Sequence, residues 1–191
     1  MAHFDESILS LRQQQKEQES GTEEGIYVKG SLVEFDMTEF YDGQILMLIP
    51  SKFNEMPLEI ARIKYPSEFR PEYIFTSPDN DADIGLKLLD DSVSESDLES
   101  ILAELKGATK APNPSTEFFE SDIEQLEDFK LAWYDYKSFA IDAHMYNILF
   151  AAPVDGKLLI GMFNCQFSAQ EEWKKLAMKI IRSLRLNKEG E

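Results

Sequence analysis

The alternation of apolar and polar positions is clearest in the last third of the chain. Two apolar runs, residues 146–154 and 157–167, are separated only by Asp155-Gly156. A type I′ turn needs positive φ at both central residues, and Asp-Gly accepts it, so the pattern predicts a tight two-residue hairpin. A two-residue loop sets the register. Ala152 should face Leu159, Phe150 Gly161, Ile148 Phe163 and Tyr146 Cys165. The opposite face would hold Ala151, Leu149 and Met145 against Ile160, Met162 and Gln166. Both faces are mainly apolar, so these strands should be central in a sheet covered on both sides by helices or by another subunit. Gly161 opposite Phe150 suits an aromatic ring lying over a glycine. Directly afterwards Ser168, with Glu171 three residues on, reads as a capping box. The helix it predicts carries Trp173, Leu176, Ala177, Ile180, Ile181 and Leu184 on one face. Its acids come first and its cations last, as the helix dipole favours.

Earlier segments carry weaker patterns. Residues 26–35 (Ile26, Val28, Leu32, Val33, Phe35) read as one strand. Asp42-Gly43 turns the chain into Ile45-Leu46-Met47-Leu48-Ile49, a continuous apolar run suited to a strand buried on both faces and ended by Pro50. Residues 58–65 predict a short helix stopped by Pro66. Residues 73–76 and 84–88 predict strands, the second half-buried. Ser96 and Glu99 predict a second capping box, opening a helix with a Leu98, Ile101, Leu102, Leu105 stripe and Gly107 at its C-terminal cap. Residues 118–126 predict an acidic edge strand, and Phe129, Leu131 and Trp133 alternate as another that reaches Tyr136 or beyond. The hairpin is expected to begin at Ile141. Residues 1–24 are polar, with Gln and Glu dominating 13–24, and are expected to form a mobile or loosely docked arm before one domain at 25–188.

Composition bounds the function classes. The chain has 191 residues, 43% of them hydrophobic, enough for a sizeable core. The formal net charge of −17 repels phosphate backbones and anionic lipid, which argues against nucleic-acid and membrane-surface roles. Residues 79–128 hold 15 Asp and Glu against 3 Lys, a net of −12. An acidic segment is most often a solvated face; it could also steer a basic partner, with Glu117, Glu120, Asp122 and Glu124 as its working surface. The single Cys165 excludes an internal disulfide framework. The given sequence opens without a basic, apolar leader and contains no apolar run of spanning length, so a cytoplasmic protein is expected.

Candidate chemistry is sparse. Cys165 and His144 share one face of the predicted hairpin, the minimum for a nucleophilic dyad, but a mid-strand thiol among apolar neighbours favours a structural cysteine. Asp79, Asp81, Asp83 and Asp90 match the acidic positions of a twelve-residue calcium loop, yet Ile84 stands where the sharp-turn glycine belongs and Asp90 where the final Glu belongs. An acidic β-turn is the stronger reading. Two histidines and one cysteine make no convincing zinc site. Trp133, Tyr134 and Tyr136 could stack bases, but cations are missing nearby. No phosphate-binding or nucleophile-elbow motif is present. Accordingly no catalytic, cofactor-binding or metal-ligating residue is assigned, and no cofactor is expected.

The order of these pieces resembles the PsbP-like family, which also takes in Ran-binding Mog-type proteins and bacterial groups of unknown function. The resemblance runs over about residues 26–187. It rests on Ile45-Leu46-Met47-Leu48-Ile49-Pro50, on Lys64-Tyr65-Pro66-Ser67-Glu68-Phe69-Arg70-Pro71 and on the strands at 74–76 and 84–88. The helix at 98–105 and the Val154-Asp155-Gly156-Lys157 hairpin leading to the Trp173 helix complete it. It implies an α+β fold, an antiparallel sheet flanked by helices as an α/β/α sandwich. It also implies roles that are mostly binding: photosystem assembly, a small GTPase, and secretion chaperones holding apolar helices. The expectation is therefore a non-enzymatic, cytoplasmic protein-binding or adaptor module whose protein partner is basic or apolar. The alternatives are a small hydrolase-type enzyme and a chaperone-like homodimer holding an apolar helix of a secreted protein.

Overall fold

The structure, a computed structural model, describes residues 25–140 and 143–187. The arm expected at 1–24 and the strand start expected at Ile141 lie outside the described residues. Eleven strands and three α-helices are described, and every strand pairing is antiparallel. The fold is mostly β, with helices on the flanks of the sheets.

Strands β1 (Gly25–Val28), β2 (Ser31–Phe40), β3 (Ile45–Pro50) and β11 (Arg185–Leu186) form a four-stranded sheet in that order. The single strand expected at 26–35 is thus two. Lys29 and Gly30 take φ of 49° and 75° and turn the chain between them. The run of apolar residues hides this turn, which only the Lys-Gly pair signals. In β3 Ile45, Met47 and Ile49 are buried while Leu46 and Leu48 are half-buried, so one face is closed, not two.

The larger sheet has seven strands in the order β4-β5-β6-β10-β9-β8-β7. These are β4 (Asn54–Glu55), β5 (Tyr73–Thr76), β6 (Ala82–Leu89), β7 (Glu117–Gln125), β8 (Lys130–Phe139), β9 (His144–Val154) and β10 (Lys157–Gln166). The β9–β10 hairpin is central and has the expected register, with Phe150 opposite Gly161 and Tyr146 opposite Cys165. Asp155 and Gly156 have φ of 49° and 78°, as a type I′ turn needs. A Cβ at position 161 would fall inside the Phe150 ring, so this strand requires glycine there. The acidic β7 is an edge strand, where a row of carboxylates discourages edge-to-edge pairing.

Helix α3 (Gln170–Arg182) buries Trp173, Leu176, Ala177, Ile180 and Ile181. It packs against β9 and β10 of the larger sheet and against β1 and β3 of the smaller one. These residues join Ile45, Met47, Ile84, Ile148, Phe150, Leu159 and Phe163 in the main core. The other face of the large sheet carries α1 (Leu58–Lys64) and α2 (Leu98–Lys110). Helix α2 lays Ile101, with Leu105 half-buried, on Ala151, Leu158 and Ile160. Helix α1 sets Ala61 on Met56 and Ile74.

The helix ends differ from expectation. The capping box before α2 is Ser94 with Asp97, two residues earlier than Ser96 with Glu99, and it opens a short 3-10 turn. Gly107 lies inside α2, which continues to Lys110. Ser168 sits in a 3-10 turn before α3 and makes no cap. Ser/Thr with an acid three residues on recurs by chance in Ser- and Glu-rich stretches, and only the backbone path decides which pair caps.

Candidate functional site

The residues nominated from sequence do not converge. Cys165 is fully buried in the core, and burial pushes its thiol up to about 12. His144 is exposed at the start of β9, edge-on to Phe139 with ring centroids 4.8 Å apart. The two are not brought together as nucleophile and base. The calcium-like aspartates are dispersed by strand β6. Asp81 pairs with Lys29, Asp83 with Lys64 at 2.7 Å, and Asp90 with Lys157 at 2.6 Å. Among the described residues no group of three His, Cys, Asp or Glu side chains could hold a metal ion. The aromatic trio splits over two faces. Trp133 lies on the α3 side, while Tyr134 and Tyr136 lie on the other, Tyr134 sharing a 2.7 Å hydrogen bond with Thr109 of α2.

The acidic edge is tied to the cationic last helix. Arg182 makes a bidentate pair with Glu124, both distances 2.7 Å, and Trp133 Nε1 donates to the same carboxylate at 2.7 Å. Hydrogen bonding to Arg182 holds the Glu124 carboxyl below its ordinary range. Lys174 reaches Glu120 at 3.1 Å, and Arg185 reaches Glu127 at 3.4 Å. The two halves of the charge asymmetry are therefore partly each other's complement.

Two carboxylates are fully buried: Asp135, which the sequence reading does not single out, and Asp83, which it places only in a calcium-like loop. Asp135 lies on the α3 face of β8. Its Oδ1 accepts from the Glu120 backbone N–H at 2.6 Å, and its Oδ2 from Tyr146 OH and Lys174 Nζ, both at 2.8 Å. Glu120 lies in the register shift between Phe118 and Ser121, so the carboxylate satisfies a backbone donor freed from the ladder by the irregularity. Burial opposes the charge on Lys174, but the hydrogen bonds it donates to Asp135 and Glu120 raise its pKa overall.

Asp83 lies on the opposite face, fully buried in β6. Tyr65 OH donates to its Oδ2 at 2.5 Å, and Asn164 Nδ2 donates to Tyr65 OH at 2.7 Å. Burial, with Asp83 beside it, pushes the Tyr65 phenol well above its ordinary range, so it stays protonated and donates. The Oδ1 of Asp83 is buried and meets no donor. In register with Asp83 stand Asn164 of β10, Asn147 of β9 and Tyr136 of β8. One polar row thus crosses four strands of the large sheet. The signal for it was in the sequence: Asp83, Asn147 and Asn164 are polar residues set inside apolar runs. Such a row can donate and accept hydrogen bonds; among the described residues it contains no nucleophile activated by a base.

Beside this row, α1 and the turn after it expose four large apolar side chains. Leu58 is 56%, Ile60 50%, Ile63 79% and Phe69 80% exposed. At one end of the molecule a separate cavity of about 230 Å³ lies next to Trp173.

No family model matches the chain, and no curated protein sequence is similar to it. Solved structures are similar. The cyanobacterial PsbP (CyanoP) of Synechocystis superposes with a TM-score of 0.58 at 10% identity, over 85% of this chain and 98% of that one. The Ran-binding protein Mog1p of Saccharomyces cerevisiae gives 0.56 at 12% identity, over 81% and 96%. LpqN of Mycobacterium tuberculosis, involved in cell envelope biogenesis, gives 0.54 at 12% identity, over 84% and 95%. At such identities the likeness is one of fold, and the chain has the PsbP/Mog1-like fold. Among the described residues no helix is long and apolar enough to cross a membrane.

Proposed function

We propose that the chain is a non-enzymatic protein-binding or adaptor module, and that its working surface is the α1 segment. The observation that carries this reading is the exposure of Leu58, Ile60, Ile63 and Phe69 within twelve residues. Single exposed apolar residues are ordinary, but several on one short element mark an interaction surface. The partner then presents an apolar surface. A basic partner drawn to β7 is less well supported, because Glu120 and Glu124 are already paired within the chain. A Ran-binding protein with the same fold is consistent with a binding role on this scaffold. The proposal includes one domain at 25–188, layered as an α/β/α sandwich, a preceding arm at 1–24, and a cytoplasmic location.

The test is proximity labelling in the native cell with three forms of the full chain. These are the wild type, an Ile60→Ser/Ile63→Ser/Phe69→Ser variant and a Glu117→Gln/Asp122→Asn variant. The reading requires neighbours that the apolar variant loses and the acidic variant keeps. The opposite pattern returns the working surface to β7. Concentration-dependent self-association, abolished by Ile63→Ser, would make the partner a second copy.

A further inference from the structure

Helix α1 is held on the large sheet by its inner side. Ala61 is buried with Met56 and Ile74, and Lys64 reaches Asp83 at 2.7 Å. Its outer side carries Ile60 and Ile63, 50% and 79% exposed. Residues three apart on a helix are neighbours, so the two side chains form one apolar ridge. Glu59 and Arg62, also three apart and both exposed, run along one flank of that ridge. Neither forms a salt bridge with another described residue.

A partner for this surface has to supply two apolar side chains at the same spacing, a base opposite Glu59 and an acid opposite Arg62. The helix itself meets that specification. Turned end for end about the point between Ala61 and Arg62, it sets Ile60 against Ile63 and Ile63 against Ile60. The same half-turn keeps the charged flanks on one side, so Glu59 comes beside the partner's Arg62. A twofold interface repeats every contact, so this one short helix yields two apolar contacts and two ion pairs. Charge also favours this face. Two chains of −17 repel at long range, but residues 58–65 hold one acid against two bases and add none of that repulsion.

Resting on the reading of α1 as the working surface, we infer that its partner is a second copy of this chain, docked through antiparallel α1 helices about a twofold axis. The exposed apolar residues span only twelve positions, against about 20–30 residues a side in a standard interface. The dimer is therefore weak and forms at high concentration.

Sedimentation equilibrium of the full chain, at up to about 1 mM protein, tests this. Salt at about 0.15 M screens charges beyond about 8 Å and removes the long-range repulsion. The wild type must pass from monomer to dimer and stop there. Arg62→Glu sets acid against acid at both contacts, and Glu59→Arg sets base against base; each must weaken the dimer about tenfold or more. The double variant Glu59→Arg/Arg62→Glu restores both pairs in reverse and must recover the wild-type constant within about threefold. Ile60→Ser/Ile63→Ser must leave only monomer. A wild type that stays monomeric, or grows beyond dimers, overturns the inference. So do single charge variants that associate like the wild type, or a double variant no better than the single ones. The reading of α1 as a docking surface fails separately, when the Ile60→Ser/Ile63→Ser/Phe69→Ser variant keeps all its neighbours in the cell.

Discussion

The two faces of the large sheet bury one aspartate each, and they treat it differently. On the α3 face both oxygens of Asp135 are engaged, by a backbone N–H, a phenol and a lysine. On the α1 face Asp83 uses one oxygen for Tyr65 and Lys64 and leaves the other buried without a donor. The α3 face is also closed by the second sheet, whose Phe40 meets Tyr73 and Phe75 edge-on at 5.2 and 5.9 Å. Among the described residues the α1 face carries two helices, α1 and α2, and α1 exposes Leu58, Ile60 and Ile63 between the charged Glu59, Arg62 and Lys64. A fully satisfied polar group inside a thick core is a structural device. Asp83 Oδ1 is a buried acceptor that the fold leaves unused on the α1 face, as Trp173 Nε1 is a buried donor left unused on the α3 face.

The largest test of this contrast is to remove each carboxylate. Asp135→Ala strands Lys174 and the buried Tyr146 hydroxyl, and should cost about 3–5 kcal/mol in urea unfolding. Asp83→Ala should cost only about 1–2 kcal/mol, because Lys64 can turn to solvent. Equal costs would erase the distinction between the faces. Truncating the two helices probes the same difference in apolar terms. Leu176→Ala in α3 should cost about 2–5 kcal/mol. Leu105→Ala in α2, at a half-buried site, should cost about 1 kcal/mol or less. A cost of that small size at Leu176 would mean that α3 is a docking helix instead of the core.

Gly161→Ala tests how tightly the α3 face is packed. The new methyl group meets the buried Phe150 ring, and overpacking of this kind costs about 1–3 kcal/mol. A neutral result would show that Phe150 has space to move. The smallest effect is at the rim. The Glu124–Arg182 pair should contribute about 1 kcal/mol, because Arg182 is half-exposed and screened. Arg182 lowers the Glu124 pKa from 4.5, so this contribution is complete above about pH 4.5 and is lost as pH falls through the lowered folded value. The melting temperatures of wild type and Glu124→Gln should therefore differ at neutral pH and converge in acid, once the pH is below the lowered folded value. A gap that persists in acid would assign the stabilisation to packing.

Local chemistry carried much of the fold. Asp155-Gly156 alone sets a turn, and a two-residue turn sets every cross-strand pair of β9 and β10. The α3 stripe repeats at helical spacing, so its buried face was legible before any contact was known. The β1–β2 turn was not, because Lys29-Gly30 interrupts a run whose hydrophobicity suggests one strand. The caps at Ser96 and Ser168 were misplaced because the motif is short and its competitors, such as Ser94 with Asp97, lie within a turn.

The residues at the candidate sites are another matter. Cys165 and His144 share a strand face by sequence, but the core encloses one and solvent the other. Asp135 finds its partners 11, 15 and 39 residues away, and Tyr65 meets Asn164 across 99. The cavity at Trp173 needs two sheets and a helix to enclose it. What the sequence determined by itself was everything set by neighbours within a few positions: turns, register and amphipathic faces. What only the tertiary structure decided was which polar side chains are buried, which are satisfied and which remain open. Those outcomes depend on dielectric and distance, and long-range packing sets both.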